Sequence, residues 1–573
     1  MCLTPPDPFE RDYYYHGVGG RLVARTSTFP FRANGAQLDA RDGNARDGNG
    51  SASGTVWFTN IGQHHILSLW SDEVARYLHE SLGDMSWKRI YPIRTMIGRP
   101  YDDNNRHLNF LRDTVVLIIE VPHGTVNYHE AIAAAKRCKT ILYVFRILDV
   151  EVEVRDIDRK LSASDGRDGV QNGNRDYSFD DFPLLSTISL SYETLVPARS
   201  HIGYEITPES EDGSRYGTMG MHLRLSDRPS EAYGLTCRHV VHRPRAELDP
   251  KPQDRWNWAA DGDEYFFDCH SSTEAHHRII HMSNDGLHRL RREIGQKIQK
   301  AETILQQLKS AEDRHAEYPI YYPELSEYEI ERRKRMERAI PFLEDFDTAV
   351  SKILNEEPKG SRVVGHVAAM APFEASPKGF FRDWALISLD TSKLSDDRGG
   401  FSNKIYVTEV GYSNLMKGLP FYEHQAQDMV HFINSKADKS GFIWLHSNTP
   451  STASVCKSVG VGKRGATSGL TFGATNEIKA IVRHGKQSSV GREYVIVGVE
   501  PWVPFSEHGD SGAVVFDTEG AIIAIISAGY ADGNTTSGQF EEIQKNTDLT
   551  FATPIEAVLE DIRCVTKSDV EIV

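Results

Sequence analysis

The sequence lacks any long apolar stretch. No segment of its 573 residues approaches the run of about 18 consecutive apolar residues that a membrane-spanning helix requires. Hydrophobic residues make up 39% of the chain and charged residues 25%, a balance typical of globular proteins. We therefore expect two or three packed domains and no membrane partner.

An excess of basic charge is also missing. The chain has 65 Lys and Arg against 81 Asp and Glu, a formal net charge of −16. Nucleic-acid binding depends on clustered basic side chains that face phosphates. The densest basic run, from Glu331 to Arg338, has acids within it and on both sides, which favours a solvated helix face. The sequence predicts no nucleic-acid partner.

The sequence has few cysteines, and their spacing follows no recognisable pattern. They show no CxxC pair and no repeated short interval, so neither a disulfide framework nor a zinc site is indicated. No metal and no cofactor is predicted. The first residues carry Pro and acid where a secretory signal has a basic start and an apolar core, so we expect a cytoplasmic or nuclear protein. The six cysteines are Cys2, Cys138, Cys237, Cys269, Cys456 and Cys564.

Composition changes along the chain predict its domains. RDGN occurs twice within 40–54, which predicts disorder, and the Gly- and Asp-rich stretch at 162–178 predicts a flexible linker. Between them, strand-like 113–121, helix-like 127–139 and strand-like 140–154 predict a small α/β domain. The predicted division is a disordered tail (1–54), an α/β accessory domain (55–160), a flexible linker (161–196), a main domain (197–565) and a C-terminal tail (566–573).

The main domain is predicted to be mainly β with one helical interruption. Short β-type runs separated by Gly, Asp and Ser are typical of antiparallel barrels or sandwiches. Apolar residues then recur every three or four positions from Leu287 to Leu308, and again from Met336 to Leu354. These two periodic stretches predict a helical hairpin inserted at about 285–356, whose apolar stripes pack on each other.

One turn in the main domain carries a serine of chemical interest. The stretch SEHGDSGAVVF (Ser506 to Phe516) has the composition of a tight turn that leads into a buried strand. A catalytic role for Ser511 would need a base to accept its proton and a carboxylate to orient that base. The sequence therefore has to supply a histidine and an acid elsewhere.

Two upstream segments contain those residues. GLTCRHVV contains His239, and FRDWALISL begins a strand-like alternation at Asp383. The resulting order, His, Asp, Ser, is that of chymotrypsin-type proteases and differs from the order in subtilisins or α/β-hydrolases. His242 and Asp390 are the nearby alternatives, but each lies outside the pattern around His239 or Asp383. His508 borders the turn and is interpreted as a cleft-wall or surface residue.

These segments resemble the trypsin-like serine peptidases, in particular intracellular fungal and bacterial members. GLTCRHVV resembles their Leu-Thr-x-x-His-Val segment, RDWALISL their Asp-x-Ala-Leu strand, and HGDSGAVVF their Gly-Asp-Ser-Gly-x-Val strand. GTMG at 217–220, KRGATSGLTFG at 463–473 and TPIEAVLEDI at 553–562 agree with them. The resemblance covers roughly 197–565 without the hairpin, and it implies a chymotrypsin-like fold of two six-stranded antiparallel β-barrels with the site between them.

The resemblance also implies roles for individual residues. Ser511 is the implied nucleophile, His239 the general base and acid, and Asp383 the residue that orients His239. Backbone N–H groups of Gly509 and Ser511 would form the oxyanion hole. The residues that match the primary substrate pocket are Phe505, Ser527, Ala528 and Gly529, which suggests an apolar or small substrate side chain.

One departure from the digestive members of the family concerns the start of the main domain. No Ile-Val-Gly-Gly-like start precedes the main domain, so a newly cut N-terminus is not expected to pair with Asp510. Asp510 then needs another partner. The resemblance implies a serine endopeptidase with a polypeptide substrate, and the N-terminal domain or the hairpin could contact a protein partner. The alternative is a catalytically silent trypsin-like fold that acts as a binding or signalling module.

Overall fold

The computed structural model describes the chain in segments. Within the described residues, no helix has the length and apolarity needed to cross a membrane. The predicted linker at 161–196 and residues 29–54 of the predicted tail lie outside the described segments. The described residues are 4–15, 20–28, 55–98, 110–157, 201–209, 215–242, 265–266, 278–371, 376, 379–394, 401–407, 423–438, 441–446, 458–483, 490–499, 504–529 and 549–573.

The described residues among the first 157 form a small α/β unit. Its parallel strands β4 and β5 are joined through α4, which gives the strand, helix, strand order that the sequence predicts. Helix α4 begins at a capping box between Asn127 and Glu130 and buries Ala131, Ala135 and Cys138 against the sheet. The elements are α1 (Pro8–Tyr13), β1 (Arg21–Arg25), β2 (Thr55–Thr59), α2 (Ile66–Leu69), α3 (Asp72–Ser81), β3 (Arg89–Gly98), β4 (Phe110–Pro122), α4 (Tyr128–Val144) and β5 (Glu151–Ile157).

Two predictions for this unit are wrong in part. The strand expected over 140–154 begins only at Glu151, because the buried stripe of α4 continues to Leu142 and the helix runs on to Val144. The tail expected over 1–54 contains α1 and β1, and β1 pairs with β5. The hydroxyl groups of buried Tyr14 and Tyr15 each donate to the Glu153 carboxylate at 2.7 Å, which explains why this segment packs on the sheet.

A second sheet curls into a half-barrel and carries the helical hairpin. Its strands run in the order β23, β8, β9, β13, β12, β11, β6, β7, with β10 beside β12. The prediction of a C-terminal tail over 566–573 is wrong in part, because strand β23 lies in this segment and pairs with β8. The elements up to β13 are β6 (Glu205–Pro208), β7 (Gly217–Thr218), β8 (Met221–Leu225), β9 (Arg228–Thr236), α5 (Arg238–Val241), β10 (Tyr265–Phe266), β11 (Arg278–His281), α6 (Asn284–Glu317), α7 (Glu327–Glu356), a 3-10 turn (Lys359–Arg362), β12 (Val363–Met370) and β13 (Ala385–Leu389); β23 is Val570–Ile572.

The helices α6 and α7, called the helical hairpin below, are antiparallel and occupy the two periodic stretches. Each has a serine N-cap, Ser283 for α6 and Ser326 for α7. Their apolar stripes pack on each other, as Leu287 and Val350 do near the base of the hairpin. The link between them is apolar but exposed, with Ile320 91% accessible.

A six-stranded antiparallel barrel follows the half-barrel. Strands β16, β17, β19, β22, β21 and β20 pair in a closed ring, since β20 returns to β16. The described fold is thus mainly β, with a closed barrel and a curled half-barrel, and is compatible with a chymotrypsin-like double barrel. The remaining elements are α8 (Thr391–Leu394), β14 (Lys404–Tyr406), α9 (Glu423–Lys436), β15 (Phe442–Trp444), β16 (Gly460–Gly465), β17 (Gly469–Thr475), β18 (Ala480–Arg483), β19 (Val490–Gly498), β20 (Val514–Asp517), β21 (Ile522–Gly529), β22 (Leu549–Pro554) and α10 (Ile555–Thr566).

The α/β unit and the barrel share one sheet. Strand β3 pairs with β18, so that Arg89 lies opposite Val482 and Ile90 opposite Ile481. Ile481 also packs into the hydrophobic core of the α/β unit. The guanidinium of Arg89 lies 4.1 Å from the ring centroid of Phe551, a barrel residue. Backbone pairing and side-chain packing therefore both join the N-terminal unit to the barrel.

Candidate active site

The ends of two paired strands bring His239 and Asp383 together. Strand β9 pairs with β13 so that Thr236 lies opposite Ala385, which places the residues after β9 beside those before β13. Nδ1 of His239 lies 2.5 Å from Oδ2 of Asp383, and the His239 backbone N–H donates to Oδ1 at 3.0 Å. Both side chains are buried. A carboxylate at this position favours the tautomer with the proton on Nδ1, which leaves the lone pair on Nε2.

The turn with Ser511 lies where the barrel meets the half-barrel. The N–H of Thr218, in β7, donates to the Ser511 carbonyl at 2.8 Å, and its hydroxyl donates to the Gly509 carbonyl at 2.9 Å. Gly512 has a φ of +93°, and an added Cβ would lie 2.4 Å from Oγ1 of Thr236 and 3.2 Å from the nitrogen of Cys237. Only glycine permits this approach. The turn therefore packs against the chain two and three residues before His239.

Two polar atoms at the site have unused hydrogen-bonding capacity. Ser511 is completely buried, and its Oγ makes no hydrogen bond within the described residues. The same is true of Nε2 of His239, so the two do not hydrogen-bond to each other. Buried polar atoms without partners are uncommon, and a catalytic role is one of the explanations for them.

The backbone of the turn has unused donors as well. The N–H groups of Asp510 and Gly512 donate to the carbonyls of Glu507 and Ile526. Within the described part of the chain, the N–H groups of Gly509 and Ser511 donate to no acceptor. Gly509 has a φ of +97°, a conformation that favours glycine. The N–H groups that the resemblance assigns to an oxyanion hole thus have no acceptor among the described residues.

Lys463 is the partner of Asp510, which the sequence alone did not identify. Both side chains are fully buried, and Nζ of Lys463 lies 2.8 Å from Oδ2 of Asp510. The carboxylate also accepts hydrogen bonds from Ser468 Oγ at 2.5 Å, and from the backbone N–H groups of Glu507 at 2.8 Å and Thr467 at 2.9 Å. Burial raises the pKa of Asp510, but the Lys463 charge and these hydrogen bonds outweigh it and lower that pKa below its usual value.

Three of the four pocket residues predicted from the resemblance are buried, and the fourth, Gly529, is half-buried. The ring of Phe505 belongs to the core of the barrel, together with Val461 and Ile496, so its role as a pocket floor stays a prediction. Ser527 Oγ lies 3.2 Å from a carboxylate oxygen of Glu493. Ala528 is buried as well.

The space beside Gly529 is narrow. An added Cβ there would lie 2.5 Å from Oγ of Ser506, which itself lies 2.5 Å from Oγ1 of Thr550. A side chain inserted between Ser506 and Gly529 would have to move them apart, since even one added carbon atom would clash with Ser506.

The alternative residues lie in other surroundings. Asp390 follows β13 at the end opposite Asp383 and accepts hydrogen bonds from the N–H and hydroxyl of Ser392. Burial lowers the pKa of His242 to about 4. The carbonyl of His508 accepts a hydrogen bond from Thr467 Oγ1 at 2.6 Å. The structure pairs His239 with Asp383, as the sequence predicts.

Two groups of potential metal ligands occur in the described residues, and in each a histidine lies against an aspartate of the same group. In the first, Asp383 engages Nδ1 of His239, and burial raises the pKa of the adjacent Cys237 thiol well above its usual value. The second comprises His64, His65 and Asp149. There Nδ1 of His64 accepts from the Ile66 N–H, so the proton lies on Nε2, 3.2 Å from Asp149. A protonated nitrogen cannot ligate a metal.

Sequence reasoning missed two residues that hold the turn in place. Lys463 and Thr218 both lie in segments that carry the resemblance, KRGATSGLTFG and GTMG, yet neither was singled out. Their signal was weak because a lysine or threonine in a strand usually points to solvent, and only the fold shows that these two are buried.

Comparison of the sequence with protein-family models and with curated proteins adds no relative to support the resemblance. No protein-family model matches the chain, and no curated protein matches it.

Proposed function

We propose that this chain is a serine endopeptidase. Ser511 Oγ attacks a peptide carbonyl while Nε2 of His239 accepts the hydroxyl proton, and His239 then donates that proton to the leaving amine. Water then attacks the acyl group on Ser511 while His239 accepts the water proton, and His239 donates this proton to Ser511 Oγ as the acid product leaves. Asp383 keeps the imidazole in the productive tautomer throughout.

The observation that carries this proposal is the double hydrogen bond between His239 and Asp383. One carboxylate oxygen faces Nδ1 at 2.5 Å and the other accepts the backbone N–H of the same residue at 3.0 Å. This arrangement fixes both the position and the tautomer of the ring. It supports a lone pair on Nε2, which a general base needs in order to accept the proton of a serine nucleophile.

The unused N–H groups of Gly509 and Ser511 support the same reaction. In acyl transfer, negative charge develops on the carbonyl oxygen, and preorganised backbone donors stabilise it. One such donor is typically worth about 3 kcal/mol in the transition state. The two groups belong to the nucleophile's own turn, so the charge and the attacked carbon would lie close together.

The lack of room beside Gly529 supports a preference against large substrate side chains. Ser506 would limit the width of a pocket beside Gly529, since a methyl group added to this glycine would lie only 2.5 Å from the serine Oγ. No acidic residue occupies the position of Phe505, so selection for Lys or Arg is not proposed. Cleavage confined to Lys or Arg sites would contradict this preference.

One observation favours the rival function, a catalytically silent binding module. Ser511 Oγ is buried and makes no hydrogen bond to His239. Catalytic hydrogen bonds are often long or poorly aligned without substrate, so the geometry permits either function. The rival predicts that the purified chain binds polypeptides without ever cleaving them.

A peptide-library experiment separates these functions. The chain is incubated with a mixed peptide library, and new termini are identified by mass spectrometry. Ser511→Ala and His239→Ala should abolish cleavage, and Asp383→Asn should lower kcat by roughly 10⁴, as loss of the orienting carboxylate does in a serine triad. Asp390→Asn is the matched control and should retain full activity. Absence of new termini with folded protein, or cleavage that survives Ser511→Ala, would contradict the proposal.

A further inference from the structure

The ring of Tyr216 fills the space beside Gly509. An added Cβ on Gly509 would lie 2.1 Å from Cε2 of Tyr216, which means that the ring rests directly on the glycine backbone. The Tyr216 hydroxyl lies 3.4 Å from the carbonyl oxygen of His508. The tyrosine is almost fully buried. Any shift of its ring therefore changes the room available to residues 509–511, called the oxyanion segment below.

A residue of the helical hairpin also contacts this ring. Arg289, in the first turns of α6, places its guanidinium 4.1 Å from the centroid of the Tyr216 ring. The same guanidinium forms an ion pair of 2.8 Å with Glu205. Arginine stacks on aromatic faces and pairs with carboxylates through one planar group, so a single side chain holds both partners.

Glu205 connects this contact to the base of the hairpin. One of its carboxylate oxygens accepts hydrogen bonds from the N–H and the hydroxyl of Ser283, at 3.0 and 2.9 Å. Ser283 is the N-cap of α6, and its hydroxyl in turn accepts the N–H of Gly286. A carboxylate at a helix N-terminus is also favoured by the helix dipole. The start of α6 is thereby fixed relative to β6.

Strand pairing carries the connection to the oxyanion segment by a second route. Glu205 in β6 pairs with Thr218 in β7. Thr218 hydrogen-bonds to the carbonyls of both Gly509 and Ser511. The base of the hairpin thus reaches the oxyanion segment twice, through the Tyr216 ring and through β7.

We propose that the helical hairpin positions the oxyanion segment, and that Arg289 and Tyr216 are the positioning residues through which it does so. This inference rests on the proposed peptidase function, because only a peptidase would use the oxyanion segment to stabilise a transition state. The hairpin is then part of the catalytic unit rather than an appended arm. A displacement of its base would move the N–H groups of Gly509 and Ser511 away from the developing negative charge.

The test compares variants that remove the contact between Arg289 and Tyr216 with variants that keep it. Arg289→Met and Tyr216→Ala remove the stack, while Tyr216→Phe keeps the ring. Arg291→Met is the matched control, because Arg291 lies in the same helix and pairs with Asp347 on α7 at 2.8 Å, away from Tyr216. Circular dichroism and melting temperature establish that each variant is folded. Arg289→Lys, which keeps the charge opposite Glu205, replaces Arg289→Met if the latter does not fold, and Tyr216→Leu likewise replaces Tyr216→Ala.

Two measurements are made on the full chain. Hydrogen exchange of the peptide spanning 504–513, read by mass spectrometry, should become about tenfold faster in Arg289→Met and Tyr216→Ala and stay unchanged in the two controls. With a cleaved peptide, kcat should fall by about a hundredfold, the cost of a misplacement of about 1 Å, while KM changes less than about twofold.

The two hypotheses fail in different ways. Unchanged exchange and unchanged kcat in folded Arg289→Met and Tyr216→Ala would overturn the positioning role while leaving the peptidase intact. A wild-type chain that cleaves nothing would overturn the peptidase function. In that case exchange alone still decides whether the hairpin positions the segment, since it does not depend on activity.

Discussion

Replacing Lys463 by Met isolates the charge opposite Asp510. Both side chains are fully buried, and Nζ of Lys463 lies 2.8 Å from the carboxylate. The substitution removes the only cation among the contacts of Asp510 described above and leaves neutral donors, Ser468 and backbone N–H groups. Met has a similar length to the lysine stem, so the packing of the strand changes little.

The expected cost follows from the unpaired buried carboxylate. Breaking a buried ion pair by removing one partner typically destabilises a protein by about 3–5 kcal/mol. We expect Lys463→Met to lower the free energy of unfolding by that amount at pH 7, measured by urea unfolding. Lys404→Met is the matched control, because Lys404 lies over the ring of Phe442 at 5.1 Å and forms no ion pair within the described residues. It should cost less than about 1 kcal/mol.

A double variant separates lost pairing from lost packing. Lys463→Met with Asp510→Asn removes both charges, so it should be less destabilised than the sum of the single variants, with a coupling of roughly 0.5–3 kcal/mol. The reasoning is refuted if Lys463→Met unfolds at the same urea concentration as Lys404→Met, or if the double variant shows no coupling.

Further predictions concern the backbone, pH and a helix cap. Gly509→Ala should lower the melting temperature and slow acylation, because φ is +97° and the space for a Cβ is filled; unaltered acylation would count against an oxyanion role. Burial lowers the pKa of His201 to about 3 and of His222 and His281 to about 4. The unfolded chain, with a His pKa near 6.5, therefore binds more protons than the folded chain at acidic pH. The free energy of unfolding should be constant above about pH 6.5 and should decrease as the pH is lowered, by about 2 kcal/mol per histidine at pH 5. Melting temperatures across pH 7 to 4 that stay flat would contradict this. Asn127→Ala should cost about 1 kcal/mol in urea unfolding through loss of the α4 capping box.

The parts of the site that the sequence predicts are those with strong local patterns. His239 and Asp383 lie in short segments whose order and neighbours match one family, and the structure places their side chains in contact. The hairpin is likewise visible from apolar residues at helical spacing. Such features depend on residues close in sequence, so periodicity and local motifs suffice to find them.

The parts that the sequence did not predict depend on distant residues. The pairing of β3 with β18 joins segments nearly 400 residues apart, and neither strand carries a mark of its partner. The contact of Arg289 with Tyr216 is of the same kind, since an arginine on an amphipathic helix is usually solvated. The burial of Lys463 can be inferred only when the position of Asp510 is known.

Labelling with a fluorophosphonate tests the central claim most directly. The folded chain is treated with a compact reagent such as diisopropyl fluorophosphate, and the modified residue is identified by mass spectrometry. The account predicts one adduct, on Ser511, absent from Ser511→Ala and strongly slowed by His239→Ala. A folded chain that acquires no adduct on Ser511, or labels equally well after His239→Ala, would contradict it.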